Sequence, residues 1–362
     1  MRKHRTSNHR QRGEFYRLPI GWGEGRGKGS TFIYYPTIPF TEALKLSSAA
    51  FDFLFDVRCY LLFSFLLLAV PAHAAPSKTV TVYCAQDEDY AEPIFQQFEK
   101  DTGIKILPVF DSEAVKTVGM ANRLLAERKY PQCDVFWGNE EMRTRQIAAQ
   151  GVFREPNGWA AFGHRSRRIV INTNKLTLAT APHSLAELTN AVWRGRVAIA
   201  FPQFGTTGAH LNALRQRWGD AAWQTWCRAL VANKPFLVDG NSVVVRTVAR
   251  GDAWVGLSDS DDVADGQREG MPVAALPLSD EMLLIPNTIG IVRGAPHPDA
   301  AEKLFDWLQR PQVAQALVAA RALESTSLTE PGVATLKPDW DRLLRDLDAA
   351  TAELNEIFLG SK

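Results

Sequence analysis

Asp259, Asp261 and Asp262 stand together at the end of an apolar run in DAWVGLSDSDDV (252–263). Three carboxylates so close repel one another unless a cation, a cationic ligand or an Arg/Lys side chain neutralises them. Hard oxygen donors of this kind suit hard cations. Gly205-Thr206-Thr207-Gly208 has a different chemistry. Opening a helix, it would present free backbone N–H groups and two hydroxyls, a ready place for an anion. Three further polar clusters each follow an apolar run: Gln86 to Asp89, Asp111 to Glu113, and Trp137 to Glu140. Such residues also serve as ordinary helix caps, but five clusters at corresponding positions point to one binding cleft. The ligand-binding candidates are Asp87, Glu88, Asp111, Ser112 and Glu113, then Trp137, Asn139 and Glu140. Thr206, Thr207, Gly208, Asp259, Asp261 and Asp262 complete the set. Glu113, Asp259, Asp261 and Tyr83 are the candidates for holding a metal ion.

No nucleophile elbow, HExxH or Walker loop occurs, and His164, His183, His210 and His297 are too scattered for a metal site. No catalytic residue is assigned and no enzyme is expected.

These clusters are positioned by alternating strands and helices. TVTVYC (79–84), IKILPVF (104–110) and CDVFW (133–137) read as strands. Helices are predicted over 87–100, 113–129 and 140–150, the first with Ile94, Phe95 and Phe98 on one stripe. Further strands are predicted over 167–174, 193–201, 252–258 and 285–294. Further helices are predicted over 182–188, 205–218, 221–231, 259–269, 297–309, 311–322 and 338–358. Repeats of strand, helix and strand imply an α/β fold on a parallel sheet. Ligands of such sheets lie beyond the carboxyl ends of the strands, where all five clusters fall.

The 362 residues carry 41 Lys+Arg against 40 Asp+Glu, with 46% apolar and 22% charged residues. These values exclude a collagen, a disordered tail and a multi-span membrane protein, and give no footprint for nucleic acid. The charge is uneven: residues 1–74 carry ten basic and five acidic side chains, so the remainder is net acidic. Cys59–Val70 is apolar apart from Ser64, follows Arg58 and precedes Pro71-Ala72-His73-Ala74. Twelve helical residues span about 18 Å, short of a ~30 Å hydrocarbon core. The pattern reads as a cleavable signal peptide over 57–74, preceded by a non-native upstream extension over 1–56 that carries no function. Export to the periplasm follows. N-terminal sequencing of exported protein is expected to start at Ala75 or within two residues of it; a mature chain that keeps 1–56 overturns this. Cys84, Cys133 and Cys227 remain after cleavage. Cys84 ends one strand and Cys133 begins another, so no bridge between them is expected.

VTVYCAQDEDYAEPIFQQFEKDTGIKI, DSEAVKTVGMANRLLAER, CDVFWGNE and IPNTIGIVRGAPHPDAAEKLFDWL, with the signal peptide, resemble ABC-transporter substrate-binding proteins of the ferric-iron extracellular solute-binding family. The resemblance implies a two-lobe periplasmic-binding-protein fold of type II, each lobe a mainly parallel sheet flanked by helices. Its lobes would be 75–170 plus 285–325 and 171–284 plus 326–362, joined by crossover strands near 167–174 and 285–293. It also implies a monomer that hands its ligand to an ABC permease and its ATPase. Ferric members hold iron through adjacent tyrosines, but the matching WVGLSDSDDV (254–263) has none, so that pair is not carried over. The expected ligand is a hard metal ion, ferric first, held by carboxylates with a synergistic anion and no resident cofactor. The alternative is an organic solute such as a phosphonate or amine-bearing compound. An exported enzyme and a sensor module rank lower.

Overall fold

The computed structural model describes residues 78–111, 116–203, 205–277 and 279–360. The extension, the signal segment, Ser112 and Glu113 lie outside them.

Strands β1 (Thr79–Cys84), β2 (Lys105–Val109) and β3 (Val135–Gly138) run parallel, in the order β2-β1-β3. Their side chains alternate: Val80, Val82 and Cys84 enter one hydrophobic cluster while Tyr83 enters another, the period expected of a strand covered on both faces. Cys84 pairs with Trp137, not Cys133, and both thiols are buried and unbridged. Helix α1 (Glu88–Thr102) buries Ile94, Phe95 and Phe98 against β1 and β3 and stops at Gly103, whose φ of 69° suits glycine. Helices α2 (Lys116–Ala126) and α3 (Glu141–Ala149) join the same half.

Two antiparallel strands make the sheet mixed. β4 (Trp159–Asn172) and β9 (Leu284–Ile291) pair with each other, and β9 pairs with β3. β4 continues beyond β9 to pair with β7 (Val255–Asp259), so a second half is built on the same strand. β7 is parallel to β5 (Val197–Ala200), and β5 to β6 (Phe236–Val238); β8 (Val273–Ala275) pairs with β4. The second half is covered by α4 (Gly205–Trp218), α5 (Asp220–Ala232), α6 (Asn241–Arg250), α7 (Ser260–Arg268) and α10 (Trp340–Leu359). Helices α8 (Pro298–Leu308) and α9 (Pro311–Ala319) add their apolar faces to the first half's core.

Several elements depart from the sequence reading: β6 and β8 were not expected, and the helix expected over 182–188 is a short 3₁₀ turn, Ala186–Thr189. β4 starts at Trp159 rather than 167, because a bulge between Phe162 and Arg165, with Gly163 at φ 54°, breaks the period-2 pattern. NSVVVRTVAR, unassigned from sequence, is helix α6: its Val residues favour strands locally, yet Val244, Val245 and Val248 fall on one buried helical face. The strand predicted from Trp193 begins only at Val197, Trp193 standing in a short 3₁₀ turn.

Candidate functional site

The carboxyl ends of the strands surround a cavity of about 80 Å³. The first half contributes Asp87, Thr117 and Asn139; the second contributes Thr206, Thr207, Asp239, Asn241, Asp261 and Asp262. Helices α1, α2, α4, α6 and α7 all start at its wall. Their dipoles place partial positive charge there, which suits the acids in the first turns of α1 and α7.

Two arginines of β4 organise the floor. Arg165, 2% exposed, donates to the Asn139 carbonyl at 2.6 Å and to Asp259 Oδ2 at 3.2 Å, and its Nε lies 3.0 Å from Asp261 Oδ2. Arg167 stands directly opposite Asp259 in the β4–β7 register and donates to Asp259 Oδ1 at 2.6 Å. It also donates to Asn241 Oδ1 at 2.9 Å. Thr206 Oγ1 donates to Asp259 Oδ2 at 2.9 Å, and Asn241 Nδ2 donates to Thr206 Oγ1 at 2.9 Å. Asp259 is thus saturated from within. Burial works against its charge, but Arg167 and Arg165 hold its carboxyl below the usual carboxylate range. Of the neutralising partners expected for Asp259, the structure supplies two protein cations, which keep its buried carboxylate charged.

Asp261 is in a different position. It is buried, and its Oδ1 has no hydrogen-bond partner. Burial foremost, then the Asp259 and Asp87 charges, push its carboxyl up to about 7 against the opposing pull of Arg165. One oxygen from each of Asp259, Asp261 and Asp262 lies within 4.8 Å of the others. Arg165 and Arg167 therefore leave a partly neutralised acid group with one unmet acceptor at the cavity.

This has a consequence for stability. Asp261 and the buried Glu140 both have carboxyls raised to about 7 from ordinary values of 3.8 and 4.5. The folded state therefore holds protons that the unfolded state releases. Their stabilising contribution is full below the ordinary values and is lost as pH rises through 7. Scanning calorimetry of the unliganded protein is expected to show the melting temperature falling from pH 5 to pH 8. Asp261→Asn is expected to reduce that slope, and a slope unchanged by it overturns the assignment.

Other predicted residues are placed elsewhere. Trp137 is fully buried, its ring 5.5 Å from Phe95 and 6.3 Å from Phe162; it is core, not rim, because it shares the face of Val135. Tyr83 donates its hydroxyl to Glu127 Oε2 at 2.8 Å under the Arg123 guanidinium. Burial and Glu127 raise its phenol well above the ordinary value, so it offers no phenolate and does not line the cavity. Glu140 caps α3 through the Arg143 N–H at 3.0 Å. A Cβ at Gly208 would stand 3.1 Å from the Pro202 carbonyl oxygen, so glycine there allows close backbone packing. Asp111 is exposed and off the cavity wall, while Glu88 lines a neighbouring cavity of about 260 Å³ that shares Asp87 and Asp262. Asn139 and Thr207 line the cavity as expected, Asn139 accepting from Thr117 Oγ1 at 3.0 Å.

Arg165, Arg167, Thr117, Asp239 and Asn241 were missed from sequence. Arg165 and Arg167 did carry a signal: charges inside RSRRIVIN, otherwise a buried strand, require buried partners.

A family model described as bacterial extracellular solute-binding protein matches residues 80–320. The Fe(3+)-binding periplasmic protein of Serratia marcescens is 31% identical over 216 residues, 54% of this chain and 62% of that protein. The alignment thus spans less than two thirds of that relative's length. The major ferric iron-binding protein of Neisseria gonorrhoeae is 24% identical over 292 residues, covering 74% of this chain and 85% of its own. Among solved structures, iron-bound HitA from Pseudomonas aeruginosa superposes with a TM-score of 0.65 at 18% identity, over 78% of this chain and 99% of that one. AfuA from Actinobacillus pleuropneumoniae, with exogenous fructose-6-phosphate bound, gives 0.65 at 19% identity, over 79% and 100%. At these identities the two structures establish the fold: an α/β periplasmic-binding-protein architecture.

Proposed function

Because the chain belongs to the bacterial extracellular solute-binding protein family, we propose that it is the capture component of an ABC importer. It takes a small solute into the cleft between its two halves and delivers it to a membrane permease driven by an ATPase. Its place is the periplasm, as for the relatives named periplasmic. The observation that carries this reading is the convergence of oxygen donors from both halves on one small cavity. About 80 Å³ holds an ion with a small anion or a compact solute.

The ligand favoured is a hard cation, ferric iron first. Asp261 Oδ1 and Asp262 supply carboxylate oxygen from one half and Asp87 from the other; the start of α4 at Gly205 suits a small synergistic anion. One observation favours a second reading: Arg165 and Arg167 already occupy Asp259, which weakens the cleft for a bare metal ion and suits an organic solute such as a phosphonate or amine-bearing compound.

Native mass spectrometry of protein taken from its own periplasm weighs what is bound, and titration with ferric citrate tests the first reading. One equivalent is expected to be taken up with no intense visible phenolate band. Absence of uptake moves the reading to an organic solute. Asp87→Asn and Asp262→Asn lie on opposite halves, and each is expected to weaken uptake about tenfold or more, as loss of a charged contact does. Loss from one half only overturns capture between the halves.

A further inference from the structure

Tyr90 belongs to α1 of the first half, and its ring packs in that half's own core at 3% exposure. Its hydroxyl leaves that core. It donates to Asp265 Oδ1 and accepts from Arg268 NH2 at 3.0 Å. Asp265 and Arg268 are an ion pair on α7 of the second half, and the guanidinium carbon lies 5.4 Å from the Tyr90 ring centre. One phenol oxygen thus grips a charged pair across the cleft, beside the outer cavity that Asp265 lines.

The acids of the cleft give this grip a purpose. Asp87 of the first half lines the same cavity as Asp261 and Asp262 of the second, and its charge acts on Asp261. Like charges approaching in a desolvated cleft oppose closure. A contact that joins the two halves, as the Tyr90 hydroxyl does, offsets that repulsion before a cation arrives. The Tyr90 phenol suits this role. Burial first, then Asp261, hold it in the neutral form, so it donates to Asp265 without adding a further negative charge.

We propose that the Tyr90 hydroxyl, with Asp265 and Arg268, is a latch that sets the fraction of molecules closed before solute binds, making Tyr90 a positioning residue. Apparent affinity scales with that closed fraction. Losing hydrogen bonds to charged partners lowers the closed-to-open ratio on the order of tenfold. The latch rests on the cleft being the capture site, but it acts before solute arrives.

Spin labels placed at Gln96→Cys on α1 and Arg250→Cys on α6, both exposed positions, report the separation of the halves by pulsed dipolar spectroscopy. In the unliganded protein, Tyr90→Phe is expected to move population from a short distance to a longer one while the ring keeps its packing. Asp265→Asn is expected to do the same, and the double variant no more than either single. A Tyr90→Phe distribution matching that of the unsubstituted labelled protein overturns the latch, as do additive shifts in the double variant. A latch that responds in protein unable to take up ferric citrate or any periplasmic solute counts against the capture reading alone.

Discussion

Asp259→Asn is expected to lower the unfolding free energy by about 3–5 kcal/mol, the cost of removing one partner from a buried charge pair. Asp259 faces Arg167 at 2.6 Å and Arg165 at 3.2 Å, and both guanidinium groups are almost fully buried. An amide in its place takes the carboxylate from the buried Arg167 and leaves the buried Arg165 with Asp261. Arg167→Met reverses the problem by leaving a carboxylate short of its nearest cation. The double variant Asp259→Asn with Arg167→Met is expected to be less destabilised than the sum of the singles, since each removes the charge that the other strands. Urea unfolding with an unchanged m-value measures all three. A loss below about 1 kcal/mol for Asp259→Asn would show that the carboxylate is held for a ligand rather than for the fold. That outcome would restore Asp259 as a cation donor and weaken the organic-solute reading.

The second large effect is at Trp137. Trp137→Ala is expected to cost about 3–5 kcal/mol, the usual loss for removing a buried aromatic and leaving a cavity. The ring stands edge-on to Phe95 and tilted to Phe162, so both lose a neighbour. Trp137 Nε1 has no hydrogen-bond partner; truncation therefore gives up packing and no polar contact. Trp137→Phe is accordingly expected to be much milder, because it keeps an aromatic in the gap and deletes an unmet donor. Denaturation and solute titration separate the roles. Reduced stability with unchanged affinity of the folded fraction is expected, and lost affinity at full stability would return Trp137 to the cleft wall.

Both residues show what a chain order can and cannot tell. Trp137 was legible: it sits two places after Val135, and side chains two apart on a strand share a face, so both lie in one cluster. Its place at the strand's end drew attention away from that parity. Asp259 was not legible as a neutralised group. Its partners Arg165 and Arg167 are 94 and 92 residues away, and only the β4–β7 register brings them together. The end of α1 was legible because a glycine stop is local chemistry, as at Gly103. Helix α6 was hidden because consecutive Val residues favour strands until packing decides. Its loss concealed Asp239 and Asn241, which stand immediately before it and at its first turn. The five rim clusters were visible, but a cap and a ligand donor use the same residue types. What separates them is whether each oxygen is already satisfied, and that is a property of the assembled fold.

The 14 residues of β4 hold one more lesson. Its first stretch is hydrogen-bonded to β9 and its last to β7, so one uninterrupted backbone is ladder to both halves. Neither half can lose its order without stripping a strand from the other and baring a row of unpaired amides. The two halves are therefore expected to melt as a single cooperative unit. Such a molecule has no half-melted state in which one side waits intact for the other to refold.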